Sequence, residues 1–262
     1  MRSTNTAADL KTVLITGCST GFGLATAQLF LERGWRVVAT MRTPQEGVLP
    51  PSDRLEILSL DVSDPESIRR AVDQAGRIDV LVNNAGKGLI NIFESSTSEQ
   101  IREIFETNTI GLMEVTKAVL PQFRARKAGV IVNVASFITF SPYPMFSVYT
   151  ASKAAVVSFT EILAVELAQL NIRARIVDPG WAPSTAFEAG MTSRVIENVP
   201  AEYSELVSAM SAGRASYQGP FTESVDVAGA IWQAATDPSS PTRIPAGADA
   251  EALAASASRS TS

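Results

Sequence analysis

Short apolar runs alternate with helical patterns through most of this chain, and this alternation constrains the fold more than any other feature. The runs lie at residues 12–16, 36–40, 55–60, 79–82, 129–136 and 173–177. Strands that alternate with helices in this way assemble into a parallel sheet with helices on both faces. We therefore predict an α/β fold, a doubly wound parallel sheet in a single domain that spans residues 1–262.

A glycine-rich loop joins the first strand to the first helix. It reads Gly17-Cys18-Ser19-Thr20-Gly21-Phe22-Gly23. In a dinucleotide-binding unit, such glycines let the backbone approach a pyrophosphate, whose charge the N-terminus of the next helix stabilises. The spacing Gly-x3-Gly-x-Gly differs from the usual fingerprint, so a tight turn between strand and helix is the alternative for this loop alone. Its position after the first strand favours a nucleotide site.

The end of the second strand indicates which nucleotide would bind. Many NAD-binding sheets carry an acidic residue about 20 positions after the glycines, where it holds the ribose 2′-hydroxyl. Here the sequence is Thr40-Met41-Arg42, without a carboxylate. The Arg42 guanidinium could pair with a 2′-phosphate or lie in solvent as an ordinary surface side chain. The missing acid favours NADP(H) over NAD(H).

Histidine is absent from the sequence, and this excludes several classes of enzyme. No Ser-His-Asp or Cys-His hydrolase can be built, and a single cysteine, Cys18, cannot make a Cys-rich zinc site. A net charge of −5 with no basic block argues against nucleic acid as a partner. The polar N-terminus and the lack of an uninterrupted apolar run of about 18 residues argue against a signal peptide or a membrane span. We therefore expect a cytoplasmic protein without a metal site.

One helical stretch carries a pair of residues with suitable acid–base chemistry. Tyr149 and Lys153 are four positions apart, so a helix places them on one face. A neighbouring ammonium lowers the pKa of a phenol from about 10 toward neutrality, which lets the phenol exchange a proton with a substrate oxygen. An exposed pair that only stabilises the helix is the alternative on spacing alone.

Five motifs together resemble the classical short-chain dehydrogenases/reductases. They are Thr16-Gly17-x3-Gly21-x-Gly23, Asn83-Asn84-Ala85-Gly86, Ser136, Tyr149-x3-Lys153 and Pro179-Gly180. The likeness covers about residues 10–180, and the first motif with Arg42 is similar to the NADP-preferring branch of hydroxysteroid and retinol dehydrogenase-like carbonyl reductases. The resemblance implies a Rossmann-type fold and hydride transfer between NADP(H) and a carbonyl or alcohol carbon.

The resemblance also implies a role for each matching residue. Tyr149 would be the general acid in reduction and the general base in oxidation, and Lys153 would lower its pKa and bind the nicotinamide ribose. Ser136 would hold the substrate oxygen, and Asn108 would fix a water that links Lys153 to solvent. The cofactor-binding residues would be Gly17, Ser19, Thr20, Gly21, Phe22, Gly23, Arg42, Asp61, Val62, Asn83, Ala85, Gly86, Tyr149, Lys153, Pro179, Gly180 and either Ser184 or Thr185.

Apolar and aromatic residues flank the predicted catalytic groups on two loops. We expect a pocket for a bulky hydrophobic ketone or secondary alcohol, although core or a subunit interface is the alternative for several of these rings. The predicted substrate-side residues are Phe137, Ile138, Tyr143, Phe146, Trp181 and Phe187. Residues 181–222 are predicted to form a substrate-binding lid, and the Ala- and Ser-rich residues 250–262 a flexible tail.

The sequence leaves three functions open. The chain could be an NADP(H)-dependent ketoreductase, an NAD-dependent alcohol dehydrogenase, or a non-catalytic NADP-sensing or scaffold protein on the same fold. A sensor would be expected to lose Tyr149 or Lys153, and both are present. Members of the resembling family commonly form dimers or tetramers through two long central helices, so we expect a homodimer or homotetramer.

Overall fold

Seven parallel strands form the centre of the computed structural model, which describes residues 10–185, 187, 191 and 199–260. The strands are β1 (Thr12–Thr16), β2 (Arg36–Met41), β3 (Leu55–Ser59), β4 (Val80–Asn83), β5 (Gly129–Val134), β6 (Ile172–Pro179) and β7 (Arg243–Ala246). Their spatial order is β3-β2-β1-β4-β5-β6-β7, and every neighbouring pair is parallel. The predicted doubly wound α/β sheet is confirmed.

Helices cover both faces of this sheet. The α-helices of the described residues are α1 (Gly21–Glu32), α2 (Pro65–Ala75), α3 (Ser98–Phe105), α4 (Gly111–Arg126), α5 (Ser147–Ala168), α6 (Ser204–Ala215), α7 (Ser224–Thr236) and α8 (Ala248–Ser260). Successive side chains of a strand point to opposite faces. Val13 and Ile15 pack in the layer that contains α1 and α7, while Leu14 packs in the layer of α2, α4 and α5. Because both faces are covered, the strands are continuous apolar runs.

The order of the strands reverses at β1. The chain passes from β1 outward to β2 and β3 on one side, and then returns to place β4 on the other side of β1. A crevice opens at such a reversal beside the carboxyl ends of the strands, and ligands of open parallel sheets bind there. The glycine loop follows β1, and the Asn83-Asn84-Ala85-Gly86 segment begins at the end of β4. Two of the predicted motifs therefore meet at this crevice.

The helical region between Thr97 and Arg126 is not continuous. Thr97 forms a capping box with Gln100 at its start. However, α3 ends at Phe105, and a π-helical segment, Glu106–Ile110, separates it from α4. Such bulges occur frequently at functional sites. Asn108 lies within this segment and is fully buried.

Two elements near the C-terminus differ from the expectations. The sequence pattern does not predict β7, because the strand has four residues and contains Pro245. Proline is tolerated there because β7 pairs only with β6, at the edge of the described sheet. The expectation of a flexible tail from residue 250 is wrong, since α8 extends to Ser260. Alanine has the highest helix propensity of all residues, and residues 261–262 lie outside the described part.

The predicted lid, residues 181–222, is partly helical. It contains α6 and a short 3₁₀ turn, Ala201–Tyr203. Residues 186, 188–190 and 192–198 of this region lie outside the described residues. The described part of the region lies beside the carboxyl ends of the strands, because Trp181 directly follows the end of β6 and lines the same cavity as Arg214 of α6.

By length and composition alone, α5 is apolar enough to cross a membrane. A search for an uninterrupted apolar run does not detect it, because Lys153, Glu161 and Glu166 interrupt the run. In the structure, α5 packs Val156 into one hydrophobic cluster and Leu163 into another, which also contains strand residues. These contacts are those of a core helix.

Candidate active site

A cavity of about 880 Å³ opens at the carboxyl ends of the strands. It extends from the glycine loop after β1 to the loop after β6 and to helices α6 and α8. The predicted site residues on its wall are Gly17, Ser19, Thr20, Gly21, Phe22, Arg42, Asp61, Val62, Ala85, Gly86, Ser136, Phe137, Ile138, Tyr143, Phe146, Tyr149, Lys153, Pro179, Gly180, Trp181, Thr185 and Phe187. The fold therefore brings most of the predicted residues from six separate segments to one cavity.

The glycine loop leaves no room for side chains at two of its positions. Gly17 has φ +76°, and a Cβ there would lie 2.9 Å from the Cα of Ala85. A Cβ on Gly23 would overlap the carbonyl oxygen of Gly17 and lie 2.5 Å from Nδ2 of Asn84. Asn84 fixes this close packing, because its Nδ2 donates to the carbonyl oxygens of Thr16 and Gly17 at 2.9 and 3.0 Å. The loop is thus a rigid backbone cradle in front of α1, the arrangement that binds a pyrophosphate.

Lys153 and Tyr149 lie together on the inner face of α5. Both are buried, with exposed fractions of 4% and 6%, which excludes the alternative of an exposed surface pair. Lys153 Nζ lies 6.0 Å from the centre of the Tyr149 ring and donates to the carbonyl oxygen of Val134 at 2.9 Å. Burial lowers the pKa of Lys153 to about 8, and the negative charge of Asp178 acts in the opposite direction. Lys153 is therefore an ammonium that can lose its proton close to neutral pH.

Asn108 lies behind this pair rather than on the cavity wall. Its Oδ1 accepts from the backbone N–H of Lys87 at 2.8 Å, and its Nδ2 donates to the carbonyl oxygen of Lys87 and to Ser152 Oγ. A Cβ on Gly86 would lie 3.3 Å from Asn108 Oδ1 and 3.6 Å from Lys153 Nζ. Asn108 Oδ1 and Lys153 Nζ thus both lie close to the backbone of Gly86, which lines the cavity.

Ser136 lies at the turn that follows β5. It is buried, lines the cavity, and precedes a short 3₁₀ turn, Phe137–Thr139. Its hydroxyl oxygen accepts from the backbone N–H of Ile138 at 3.4 Å. The hydroxyl proton can be donated to a ligand in the cavity, because an Oγ acts as donor and acceptor at once.

Arg42 and Asp61 mark the opposite end of the cavity. Arg42 follows β2 directly, is exposed, and lines the cavity. The pKa of Asp61 lies below its usual range, chiefly because the Ser63 hydroxyl donates to its carboxylate, and the charge of Arg42 adds to the effect. Neither residue is buried, so this end of the cavity is polar and open to solvent.

Three predicted cofactor residues do not line the cavity. Gly23 does not reach the wall, and its role is to allow the close packing of α1 against the Gly17 carbonyl. The structure places Asn83 in the core, where its buried Nδ2 donates to Thr116 and Asn133 at 2.9 Å each, and its neighbour Asn84 lines the cavity. Of the pair Ser184 and Thr185, the structure places Thr185 on the wall and leaves Ser184 exposed.

The other half of the cavity is apolar and aromatic. All six residues predicted on the substrate side lie on its wall. The ring of Phe137 contacts that of Tyr143 edge-on at 5.6 Å, and the ring of Phe187 lies 5.9 Å from that of Tyr149. Ile138 and Phe146 also belong to one buried hydrophobic cluster with Tyr149, so these side chains form part of the core and of the cavity wall at once.

Sequence reasoning missed the contributions of the C-terminal helices to this half. The additional wall residues from α6, from the loop that follows it and from α8 are Ala209, Met210, Gly213, Arg214, Tyr217, Pro220, Asp249, Ala252 and Leu253. Arg214 stacks on the ring of Trp181, with its guanidinium carbon 4.6 Å from the ring centre. No local motif marks these positions, because their place at the cavity depends on how distant helices pack.

Comparison with known proteins identifies related sequences. The family model described as short chain dehydrogenase matches residues 11–194. The chain is 39% identical over 172 residues to 3-ketodihydrosphingosine reductase of Bacteroides thetaiotaomicron, which covers 64% of this chain and 62% of that protein. It is 39% identical over 197 residues to retinol dehydrogenase 8 of Bos taurus, covering 71% of this chain and 63% of that protein. The matched part spans less than two thirds of either relative.

Solved structures share the fold over nearly the whole chain. A short-chain dehydrogenase from Streptomyces avermitilis is 33% identical with a TM-score of 0.82, over 97% of this chain and 93% of that one. ElxO with NADP bound is 27% identical with a TM-score of 0.76, over 90% and 97%. A 3-ketoacyl-(acyl-carrier-protein) reductase from Brucella melitensis complexed with NADH is 27% identical with a TM-score of 0.75, over 90% and 96%.

The close packing at Gly23 predicts that Gly23→Ala weakens dinucleotide binding. The new methyl group must displace the Gly17 carbonyl, and overpacking of this kind costs about 1–3 kcal/mol. We expect the Kd for NADPH, measured by fluorescence titration, to rise about tenfold or more. The matched control is Gly229→Ala, because Gly229 lies in α7 with open space around its Cα. Equal NADPH affinity in the two variants would contradict the cradle.

Proposed function

Because this chain belongs to the short-chain dehydrogenase family of oxidoreductases, we propose that it is an NADP(H)-dependent carbonyl reductase. Its substrates are bulky hydrophobic ketones, and the same site oxidises the corresponding secondary alcohols in the reverse direction. The observation that carries this proposal is the buried Lys153 beside Tyr149, placed between a glycine cradle and an aromatic pocket in one cavity.

The residues of the polar half of the cavity fit a nicotinamide dinucleotide. Gly17 and Gly23 keep side chains away from the place where a pyrophosphate would approach the N-terminus of α1. Lys153 and Thr185 line the cavity; Lys153 would hold the nicotinamide ribose, and Thr185 would approach the carboxamide. When bound, the reduced nicotinamide supplies a hydride to the carbonyl carbon of the substrate.

The protein supplies the proton and fixes the substrate. Tyr149 donates its phenolic proton to the oxygen that becomes the alcohol, and the Lys153 ammonium stabilises the phenolate that is left. The Ser136 hydroxyl donates a hydrogen bond to the same substrate oxygen and holds it at the phenol. A water between Lys153 Nζ and Asn108 Oδ1 then returns a proton from solvent. In oxidation the same groups act in the reverse order.

The preference for NADP(H) rests on the end of β2. Arg42 lines the cavity there, and the segment Met41-Arg42-Thr43 carries no carboxylate that would repel a 2′-phosphate. Asp61 is the carboxylate on the wall in this region, and the Ser63 N–H and hydroxyl engage one of its oxygens. The solved neighbours contain NADP in one case and NADH in another, so the proposal depends on Arg42 rather than on the comparisons.

The proposed substrate class follows from the apolar half of the cavity. Rings of Phe137, Tyr143, Phe146 and Trp181 line a space that a small polar ketone would leave largely unfilled. A bulky apolar body would displace water from these rings, and burial of apolar surface is the main favourable term for such a ligand. Two of the related proteins are named for a ketodihydrosphingosine and for retinol; both are bulky and largely apolar, and the first is a ketone while retinol is a primary alcohol.

The proposal extends to assembly and location. Ile162 and Val165 of α5 have exposed fractions of 60% and 74%, and Ile110 beside α4 is also exposed. These apolar side chains on neighbouring helices suit a homodimer or homotetramer that packs through α4 and α5.

The single cysteine, Cys18, is buried, and desolvation raises its pKa to about 12, so it serves packing rather than chemistry. We propose a cytoplasmic location for the enzyme.

Removal of the Tyr149 hydroxyl tests the proposed reaction. We expect Tyr149→Phe to lower kcat for ketone reduction at least about 100-fold, because general acid catalysis contributes about 10²–10⁴-fold, while NADPH binding is retained. The assay follows loss of NADPH absorbance with a panel of aryl, steroid and small polar ketones. The control is Tyr203→Phe, whose hydroxyl bonds Glu94 outside the cavity.

Each outcome of this assay has a distinct meaning. Faster turnover of small polar ketones than of aryl ketones would contradict the apolar pocket. Tight NADPH binding without turnover of any ketone by the wild type would support a non-catalytic sensor instead. Turnover with NADH that exceeds turnover with NADPH would support an NAD-dependent alcohol dehydrogenase.

Substitution of Arg42 tests the cofactor preference. Arg42→Asp replaces the proposed partner of the 2′-phosphate with a carboxylate. The variant loses a charged hydrogen bond worth about 1.5–3 kcal/mol, and the carboxylate also repels the phosphate. The ratio of kcat/KM for NADPH to kcat/KM for NADH should therefore fall about 100-fold or more. Arg102→Asp makes the same charge change at a side chain that is 77% exposed and outside the cavity. An unchanged ratio in Arg42→Asp would remove Arg42 from the site.

A further inference from the structure

A buried ion pair joins the last two strands of the sheet directly behind the active site. Arg243 Nε donates to Asp178 Oδ2 at 2.7 Å, and Arg243 Nη2 donates to Asp178 Oδ1 at 3.1 Å. Asp178 is fully buried, and the Arg243 side chain is 25% exposed. A buried ion pair is weak evidence of stability, because the desolvation of both groups offsets much of their attraction. The pair therefore calls for another explanation.

The ion pair holds the turn that carries Ser136. The backbone N–H of Ser136 faces the Asp178 carboxylate and favours its charged form, which lowers the pKa of Asp178. Arg243 Nη2 donates to Thr139 Oγ1, and Thr139 bonds back to the Ser136 carbonyl through its N–H at 3.2 Å and its hydroxyl at 3.0 Å. The Arg243 guanidinium also stacks on the ring of Phe140, 4.0 Å from its centre. Three residues of this turn, Ser136, Thr139 and Phe140, are thus connected to the Asp178–Arg243 ion pair.

The same carboxylate lies near Lys153, because the Val134 carbonyl that accepts from Lys153 Nζ belongs to the residue paired with Val177, which directly precedes Asp178. Burial lowers the pKa of Lys153 to about 8, and the charge of Asp178 is the influence that opposes this fall. Burial also raises the pKa of Asp178, while Arg243, the Ser136 N–H and Lys153 favour its charged form. Two titratable groups face Lys153 among the described residues: Tyr149 from its own helix and Asp178 from β6. Asp178 in turn faces Arg243 from β7 and Lys153 from α5.

We propose that Asp178, held in place by Arg243, is a positioning residue of the active site: its carboxylate fixes the backbone of Ser136 and supplies the negative charge that keeps Lys153 an ammonium. Asp178 does not line the cavity, so it acts through Ser136 and Lys153 and not on the substrate. This role rests on the proposed function, because it assigns Ser136 and Lys153 to the reaction.

The protonation of Lys153 can be measured without turnover. The chain has five lysines, Lys11, Lys87, Lys117, Lys127 and Lys153, so carbon-13 NMR of protein labelled at lysine Cε resolves each titration, and Lys153→Met assigns the signal. We expect Asp178→Asn to lower the Lys153 midpoint by about one pH unit, the lower end of the shift that a nearby opposite charge produces. The matched control is Glu56→Gln, which removes the β3 carboxylate that pairs with Arg36 of β2, far across the sheet from Lys153. The Lys153 midpoint should stay unchanged in this variant.

Steady-state kinetics test the second part of the role. Displacement of the Ser136 turn should lower kcat for ketone reduction about ten- to 100-fold in Asp178→Asn, with KM for NADPH within about twofold of the wild type. Arg243→Lys keeps the charge but loses the two-pronged contact, so it should retain the Lys153 midpoint and still lower kcat. If Asp178 had a purely structural role, its substitution would lower thermal stability but would change neither the Lys153 titration midpoint nor kcat relative to KM.

The double variant Asp178→Asn/Arg243→Gln covers the case in which Asp178→Asn fails to fold, because it leaves no unpaired buried charge. It should show the same lowered midpoint. An unchanged midpoint in the variant that folds, with wild-type kcat, overturns the proposal even if the enzyme reduces ketones. A lowered midpoint in a protein that binds NADPH but reduces no ketone supports the link between Asp178 and Lys153 and counts against the proposed reaction.

Discussion

The common direction of the strands is the constraint on which the site depends. Because every described strand is parallel to its neighbours, all their carboxyl ends lie at one edge of the sheet. The loops after β1, β2, β4, β5 and β6 therefore meet there, although they are far apart in sequence. The reversal of strand order at β1 separates the crossovers and leaves the space between them open. The glycine cradle and the Ser136 turn thus lie on the wall of one cavity.

The burial of one charge connects this scaffold to the chemistry. Lys153 lies inside the protein, and its Nζ donates a hydrogen bond to the carbonyl oxygen of Val134, the last residue of β5. An ammonium in such a place is costly unless it is hydrogen-bonded and faces negative charge. Asp178 supplies that charge from the next strand, and its own partner is Arg243. In the proposed reaction Lys153 stabilises the phenolate, and the strand that carries Asp178 thereby influences how readily Lys153 loses its proton.

Local patterns predicted the parts of the site that depend on spacing within one element. The Tyr149 and Lys153 pair follows from helical geometry, and the glycine loop from its place after a strand. Two adjacent residues at the end of β4, Asn83 and Asn84, point in different directions, and the sequence does not show which one enters the core. The burial of Asn108 depends on a π-helical segment that no simple periodicity predicts. The wall contributed by Leu253 depends on the packing of α8, which the Ala-rich sequence does not reveal.

The central claim is that a hydride passes directly from the nicotinamide to a ketone held at Tyr149. The most direct test is a single-turnover reduction with NADPH that carries deuterium at the transferable C4 position, followed by mass spectrometry and NMR of the alcohol. The account predicts one deuterium on the carbinol carbon, from one face of the nicotinamide only, and none after reaction of unlabelled NADPH in deuterated water. Deuterium that is absent from the carbinol carbon, or that enters it from the solvent, would contradict the account.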